Sequence, residues 1–183
     1  FKNETKGIIL EDDCIPSKYF FEFCEWSLKK FKNNKKIGTV TGNNFLRSKI
    51  NIKSSFYFSK YAHCWGWATW KDRWNLYNKN IGFWNKWKNT TAFDQLFNNK
   101  NEKKYWIKIF NMVSKNQIDS WAYPWNLCLW YKKKIIVTPK FNLVKNIGHG
   151  KSATHTFNKN ENLIYSIKKL KKPFKFPKNM KIN

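Results

Sequence analysis

Four apolar residues, Gly7-Ile8-Ile9-Leu10, run straight into three consecutive acids, Glu11-Asp12-Asp13. A run this short, bounded by Lys6 and by the acids, reads as a buried strand. Pro16 and Ser17 then open a helix that reaches about Phe31, with Ser17 as its cap and Phe20, Phe21 and Phe23 turned inward. Residues 37–42 read as a second strand, closed by the polar loop Gly42-Asn43-Asn44. Strand, helix and strand in this order predict an α/β sheet with a crossover helix. A buried strand of such a sheet has neighbours on both sides. Only six residues precede Gly7, so the natural protein is expected to extend further upstream.

The later elements are read the same way. Residues 55–61 form a strand with alternating aromatic residues. A turn at Cys64-Trp65-Gly66-Trp67 leads to a helix through Tyr77. Helical stretches follow near residues 91–97 and 102–114, and Asp119 is placed to cap a helix carrying Trp121 and Trp125 one turn apart. Ile135-Ile136-Val137 is a strand stopped by Pro139. Residues 146–156 form a loop containing Gly148, His149, Gly150 and His155. The tail from Phe157 is Lys-rich, broken by Pro173 and Pro177, and expected to be partly mobile. With 183 residues and 42% apolar content, one domain with a real core is expected.

The formal charge of +25 invites a nucleic-acid or a membrane partner. Of the 36 basic residues, 34 are Lys and two, Arg47 and Arg73, are Arg. Readers of bases and phosphates lean on the planar Arg fork, so nucleic acid is disfavoured. Two readings stay open: a solvated Lys surface set by AT-rich codon usage, and a basic patch facing anionic lipid or an anionic substrate. Cys14, Cys24, Cys64 and Cys128 contain no CxxC pair and read as reduced, mostly buried thiols. That fits a cytoplasmic protein, peripheral at most to the inner membrane.

Glu11, Asp12 and Asp13 make up three of only 11 acidic residues. They fall at the carboxyl end of the first strand, where open α/β sheets bind ligands. Three adjacent carboxylates repel one another, and a hard divalent cation, Mn²⁺ or Mg²⁺, relieves that repulsion. Such a cation would bridge to a diphosphate. Alternation along an extended chain points Glu11 and Asp13 one way and Asp12 the other.

Of the 11 Trp residues, Trp65, Trp67, Trp70 and Trp74 crowd one segment around Gly66, and Trp121, Trp125 and Trp130 crowd another. Their faces could stack on sugar rings, yet Trp70, Trp74 and Trp130 have the spacing of core residues. Gly66-Trp67, in a turn, is the pair read as ligand-facing. Asp119, isolated among apolar residues, suits a general base, a helix cap or both. His155 and, less so, His149 are placed to complete a metal shell or to contact a diphosphate.

The segments GIILEDDCIPSKYFFEFC, HCWGWATWKDRW, IDSWAYPWNLCLW and TPKFNLVKNIGHGKSATHT, in this order, resemble bacterial glycosyltransferases of the GT-A type. The likeness is to family-2-like nucleotide-diphospho-sugar transferases and, distantly, to N-acetylglucosaminyltransferase I. The resemblance implies a Rossmann-like mixed sheet with flanking helices, of which residues 1–156 form the C-terminal portion and 157–183 a Lys-rich tail. It implies transfer of a sugar, with inversion, from a nucleotide-diphosphate donor, usually a UDP-sugar, to the hydroxyl of a glycan or lipid-linked acceptor during cell-surface polysaccharide synthesis. Glu11-Asp12-Asp13 then match the DxD element. Asp13 is the ligand to Mn²⁺ or Mg²⁺, Glu11 and Asp12 lie near sugar or ribose, Gly66 and Trp67 lie near the donor, Asp119 is the base, and His155 is a late metal contact. The family also carries an upstream uridine-binding part on which activity is expected to depend. A non-catalytic carbohydrate-binding module is the alternative: it would keep the Trp clusters and need no triplet.

Overall fold

The computed structural model describes residues 1–46, 52–148 and 166–180. The chain divides into two compact units, Phe1–Trp74 with Ile135–Asn183, and Asn75–Lys134. The first is a mixed α/β unit built on a five-stranded sheet.

Its strands are β1 (Lys6–Ile9), β3 (Ile37–Thr41), β4 (Phe56–Ser59), β5 (Trp67–Trp70) and β6 (Ile135–Pro139), in the order β1-β5-β3-β6-β4. A two-stranded ribbon pairs β2 (Cys14–Pro16) with β7 (Val144–Asn146). The β3 and β6 strands are parallel, and β5 runs antiparallel to both β1 and β3. Consequently β1 and β3 point the same way, and the carboxyl ends of β1, β3 and β6 share one edge of the sheet. The expected α/β class and crossover helix are borne out: α1 (Lys18–Lys30) lies between β1 and β3 in sequence and packs on both, as well as on β5.

Three expectations need correction. The first strand is not a buried central strand. It is a half-buried edge, paired among the described residues with β5 alone. The neighbour that covers it is Trp67–Trp70, a strand where the local pattern places a turn leading into a helix. That segment is fully buried, because it pairs on both sides, with Ile9 and Thr41 both opposite Trp67. A strand enclosed in this way shows no alternation to read. The helix after it is short, α2 (Lys71–Trp74), and does not reach Tyr77. The tail is also not free where it is described. Residues 166–180 lie against the sheet unit as a strap, with Leu170 and Phe174 buried in the core.

The buried threonines of the sheet are satisfied across the ladder: Thr39 Oγ1 donates to Ala68 O at 2.9 Å and Thr69 Oγ1 to Gly38 O at 2.7 Å. Arg73, 2% exposed, stacks 4.3 Å from the Trp70 ring. Its Nη2 donates to Lys32 O at 2.7 Å, its Nε faces Ile37 O at 3.4 Å, and its Nη1 reaches Asp72 at 2.6 Å.

The second unit is helical, with α3 (Trp84–Trp87), α4 (Thr91–Asp94), α5 (Lys100–Ser114) and α6 (Ala122–Tyr131). Thr90 caps α4 by accepting from Phe93 N, and Asn99 caps α5 by accepting from Asn101 N and Glu102 N. Its core is aromatic. Trp84 meets Phe93 and Phe110 edge-on at 5.2 and 5.3 Å, and Trp106 meets Trp130 at 5.0 Å. Asn116 and Lys133 adopt positive φ and close α5 and α6, a role that Asn fills at little cost. Among the described residues no helix is long and apolar enough to cross a membrane.

Candidate functional site

The acids lie one residue beyond the end of β1. The chain does not remain extended there. It turns, and Cys14 N closes the turn on Glu11 O at 3.1 Å. The turn nevertheless produces the expected split, with Glu11 and Asp13 half-buried and Asp12 exposed. Ligand atoms of Glu11, Asp13 and Cys14 all lie within 4.8 Å of one another. Cys14 was not singled out in the sequence. Its adjacency to Asp13 was the available signal, because β2 begins at Cys14 and buries the thiol.

Two elements hold this turn. Ile147 N donates to Asp13 O at 2.8 Å, so the chain leaving β7 is tied to the acidic turn. Opposite Cys14 in the ribbon is Asn146, whose Nδ2 faces Cys14 Sγ at 3.9 Å while its Oδ1 accepts from Gly148 N at 2.8 Å. Gly148 then passes so close to Asp13 that a Cβ there would stand 2.9 Å from Asp13 Cγ and nearer still to Oδ2. A side chain at position 148 would displace the carboxylate.

The electrostatics are those of crowded acids beside thiols. Burial, followed by the hydrogen bond from Cys14 Sγ to Asp13 Oδ1 (3.4 Å) and the nearby carboxylates, pushes the Cys14 thiol up to about 12. Burial and then the charge of Glu11 push Cys64 up to about 12 as well. Both cysteines are therefore neutral donors facing carboxylates near neutral pH. Glu11 and Asp13 supply hard oxygen ligands that fit Mn²⁺ or Mg²⁺. The Cys14 proton would have to leave before sulfur could join them.

Gly66 has φ +116°, and a Cβ there would meet Val144 Cγ2 at 3.0 Å and Leu10 Cδ2 at 3.1 Å. Its glycine is thus required by backbone and packing, and it lies against the residue preceding Glu11. Trp67 begins β5 and is 4% exposed, its ring packed 5.5 Å from Trp74. Its indole is a core group, so a contact from Trp67 to a donor would be made by the backbone of the turn, where Gly66 allows close approach.

Asp119 belongs to the helical unit and is exposed. It does not cap α6. The N-cap is Trp121, and Ser120 Oγ accepts from Ala122 N at 3.3 Å. The expected metal contact His155 and its companion His149 lie outside the described residues. His63 lies one residue before Cys64, edge-on to Phe45 at 4.6 Å, and burial pushes it down to about 4, which leaves it neutral.

Buried asparagines at the same sheet edge are structural. Asn44 N donates to Asn142 Oδ1 at 3.0 Å, Asn44 Nδ2 donates to Pro139 O and Lys140 O, and Tyr57 donates to Asn44 Oδ1 at 3.2 Å. The knot ties the loop after β3 to the loop after β6. No protein-family model matches the chain, and no curated protein matches it.

Proposed function

We propose that this chain belongs to a GT-A-type glycosyltransferase that moves a sugar from a nucleotide-diphosphate donor, a UDP-sugar, to an acceptor hydroxyl with Mn²⁺ or Mg²⁺. The observation that supports it best is the convergence of Glu11 and Asp13 at the carboxyl end of β1, on an edge shared with the ends of β3 and β6. That is where sheets of this kind take their ligands. Among 36 basic residues, two half-buried acids held together are a selective feature.

In this reading Asp13 and Glu11 hold the cation, and Gly148 and the Ile147 amide fix the rotamer and backbone of Asp13. Asp12, exposed beside them, accepts from sugar or ribose hydroxyls. A bound divalent cation supplies positive charge to the diphosphate leaving group. The acceptor oxygen bonds to the anomeric carbon, the bond from that carbon to the diphosphate breaks, and configuration inverts. The acceptor proton passes to a carboxylate, for which the resemblance supports Asp119.

The carbohydrate-binding alternative rested on exposed Trp faces. Trp67, Trp70, Trp125 and Trp130 are all buried, which withdraws four of them from any stacking platform. The test is donor hydrolysis and sugar transfer by the full protein in Mn²⁺. The rate should fall by about 100-fold or more in Asp13→Ala, the scale of losing an electrostatic group at the reacting centre. An unchanged rate in Asp13→Ala would dismiss the metal role, and glycan binding that persists in chelator without donor binding would favour the module.

A further inference from the structure

The strap at residues 166–180 contains Lys168, Lys169, Lys171, Lys172, Lys175 and Lys178 and no acid. Leu170 and Phe174 anchor it, and every one of these lysines is exposed. It is tied along its length: Lys168 N donates to Asn142 O at 3.0 Å, Ser55 N to Lys175 O at 2.8 Å, and Lys175 N to Ser55 Oγ at 2.9 Å. The charge is therefore displayed on a fixed surface.

Apolar groups are exposed along the same strap. Phe176 is 48% exposed although Trp26 (5.4 Å) and Phe56 (5.3 Å) support its ring, and Lys30 Nζ lies 5.3 Å from its centroid. Ile167 (36%) and Met180 (42%) are exposed on either side of it along the strap. Trp26, Lys30, Lys172, Pro173, Phe174 and Phe176 line one shallow cleft of about 340 Å³. The last turn of α1 adds Lys29 and Lys30, against Glu22 and Glu25 earlier on that helix.

Rigidly held, half-supported aromatic and aliphatic side chains interleaved with lysines match the interfacial zone of a bilayer. Apolar groups enter the headgroup boundary there while ammonium groups remain in the anionic layer. Lysine, a hydrated point charge on a long apolar stem, suits a diffuse anionic surface better than the bidentate contacts of nucleic acid. From this composition and placement we propose that the strap and the end of α1 form a docking face for anionic phospholipid bilayers. The inference is independent of the proposed transferase chemistry, because none of its residues belongs to the acidic turn.

The experiment is co-sedimentation of the full chain with vesicles of phosphatidylcholine alone, or of phosphatidylcholine mixed with phosphatidylglycerol. Each lysine near an anionic surface is worth roughly fivefold in partitioning. Lys169→Gln/Lys171→Gln/Lys178→Gln should thus lower binding to the mixed vesicles by about 100-fold. Ile167→Ser/Met180→Ser should lower the fraction that remains bound at high salt. Circular dichroism of both variants should match the parent. A control triple in the helical unit, Lys100→Gln/Lys104→Gln/Lys108→Gln, removes equal charge from residues that belong to neither the strap nor the end of α1, and should change binding by less than about fivefold. Equal losses in the strap and control triples would overturn the proposal, because binding would then follow net charge. Equal binding to uncharged vesicles, or strap-dependent capture of RNA without vesicle binding, would also overturn it.

Discussion

Gly148→Ala isolates the geometry of the acidic turn. Gly148 does not have positive φ, so alanine adds a methyl group without backbone strain. That methyl carbon would lie 2.9 Å from Asp13 Cγ and 3.0 Å from Asp13 Cβ, where carbons in contact prefer about 3.5–4.0 Å. The carboxylate oxygen Oδ2 would lie nearer still, so the tip of Asp13 must swing by about 1 Å or more, off the position that brings it to Glu11 and Cys14. Overpacking of this size costs about 1–3 kcal/mol. Denaturant unfolding in chelator should show a loss near the lower end, since a carboxylate tip can yield. The Asp13→Ala background removes Cγ and both oxygens but keeps Cβ, so there the same change should cost at least about 0.5 kcal/mol less. Mn²⁺ affinity of Gly148→Ala should fall by about 10- to 100-fold, the usual cost of losing a group that orients a ligand. An identical unfolding cost in both backgrounds would refute the claim that Gly148 positions Asp13.

Other perturbations test the surrounding structure. Arg73→Lys should cost about 2–3 kcal/mol in urea unfolding, because one ammonium cannot serve the carbonyls that the guanidinium fork reaches and also stack on Trp70. Cys14 and Cys64 have raised pKa values, so the unfolded chain loses those protons first. Their contribution is complete below about pH 9 and declines as pH climbs toward 12, and Cys14→Ala should flatten that decline in the urea midpoint. His63 is shifted the other way: its contribution is complete above about pH 6.5 and is lost as pH falls through about 4, and the acid limb of a melting-temperature profile should shallow in His63→Gln.

The elements legible in the sequence were those whose pattern is local. Pro16 and Ser17 announced α1, the β-branched run at Ile135 announced β6, and the three acids after Leu10 marked the candidate site. What escaped was set by pairing across the chain. Trp67–Trp70 is a strand because β1 and β3 bond to its two sides, and nothing within four buried residues reports that. The ribbon of β2 and β7 joins residues more than 120 positions apart, so Cys14, Asn146 and Gly148 could not be assembled around Asp13 from spacing. The tail read as partly mobile because it is Lys-rich and broken by Pro173 and Pro177, whereas Leu170 and Phe174 are buried in the core and backbone hydrogen bonds to Asn142 and Ser55 tie it down. Composition likewise hid the buried asparagine knot behind the many exposed asparagines.

In the function proposed above, Glu11 and Asp13 gather a divalent cation that binds the diphosphate of an activated sugar. Calorimetric titration of Mn²⁺ and then of UDP-sugar into the full protein addresses it directly. One Mn²⁺ site, weakened about 100-fold or more in Asp13→Ala, with donor binding seen only after the metal, is the predicted result. Undiminished Mn²⁺ uptake by Asp13→Ala, or UDP-sugar binding that is indifferent to chelator, would contradict it.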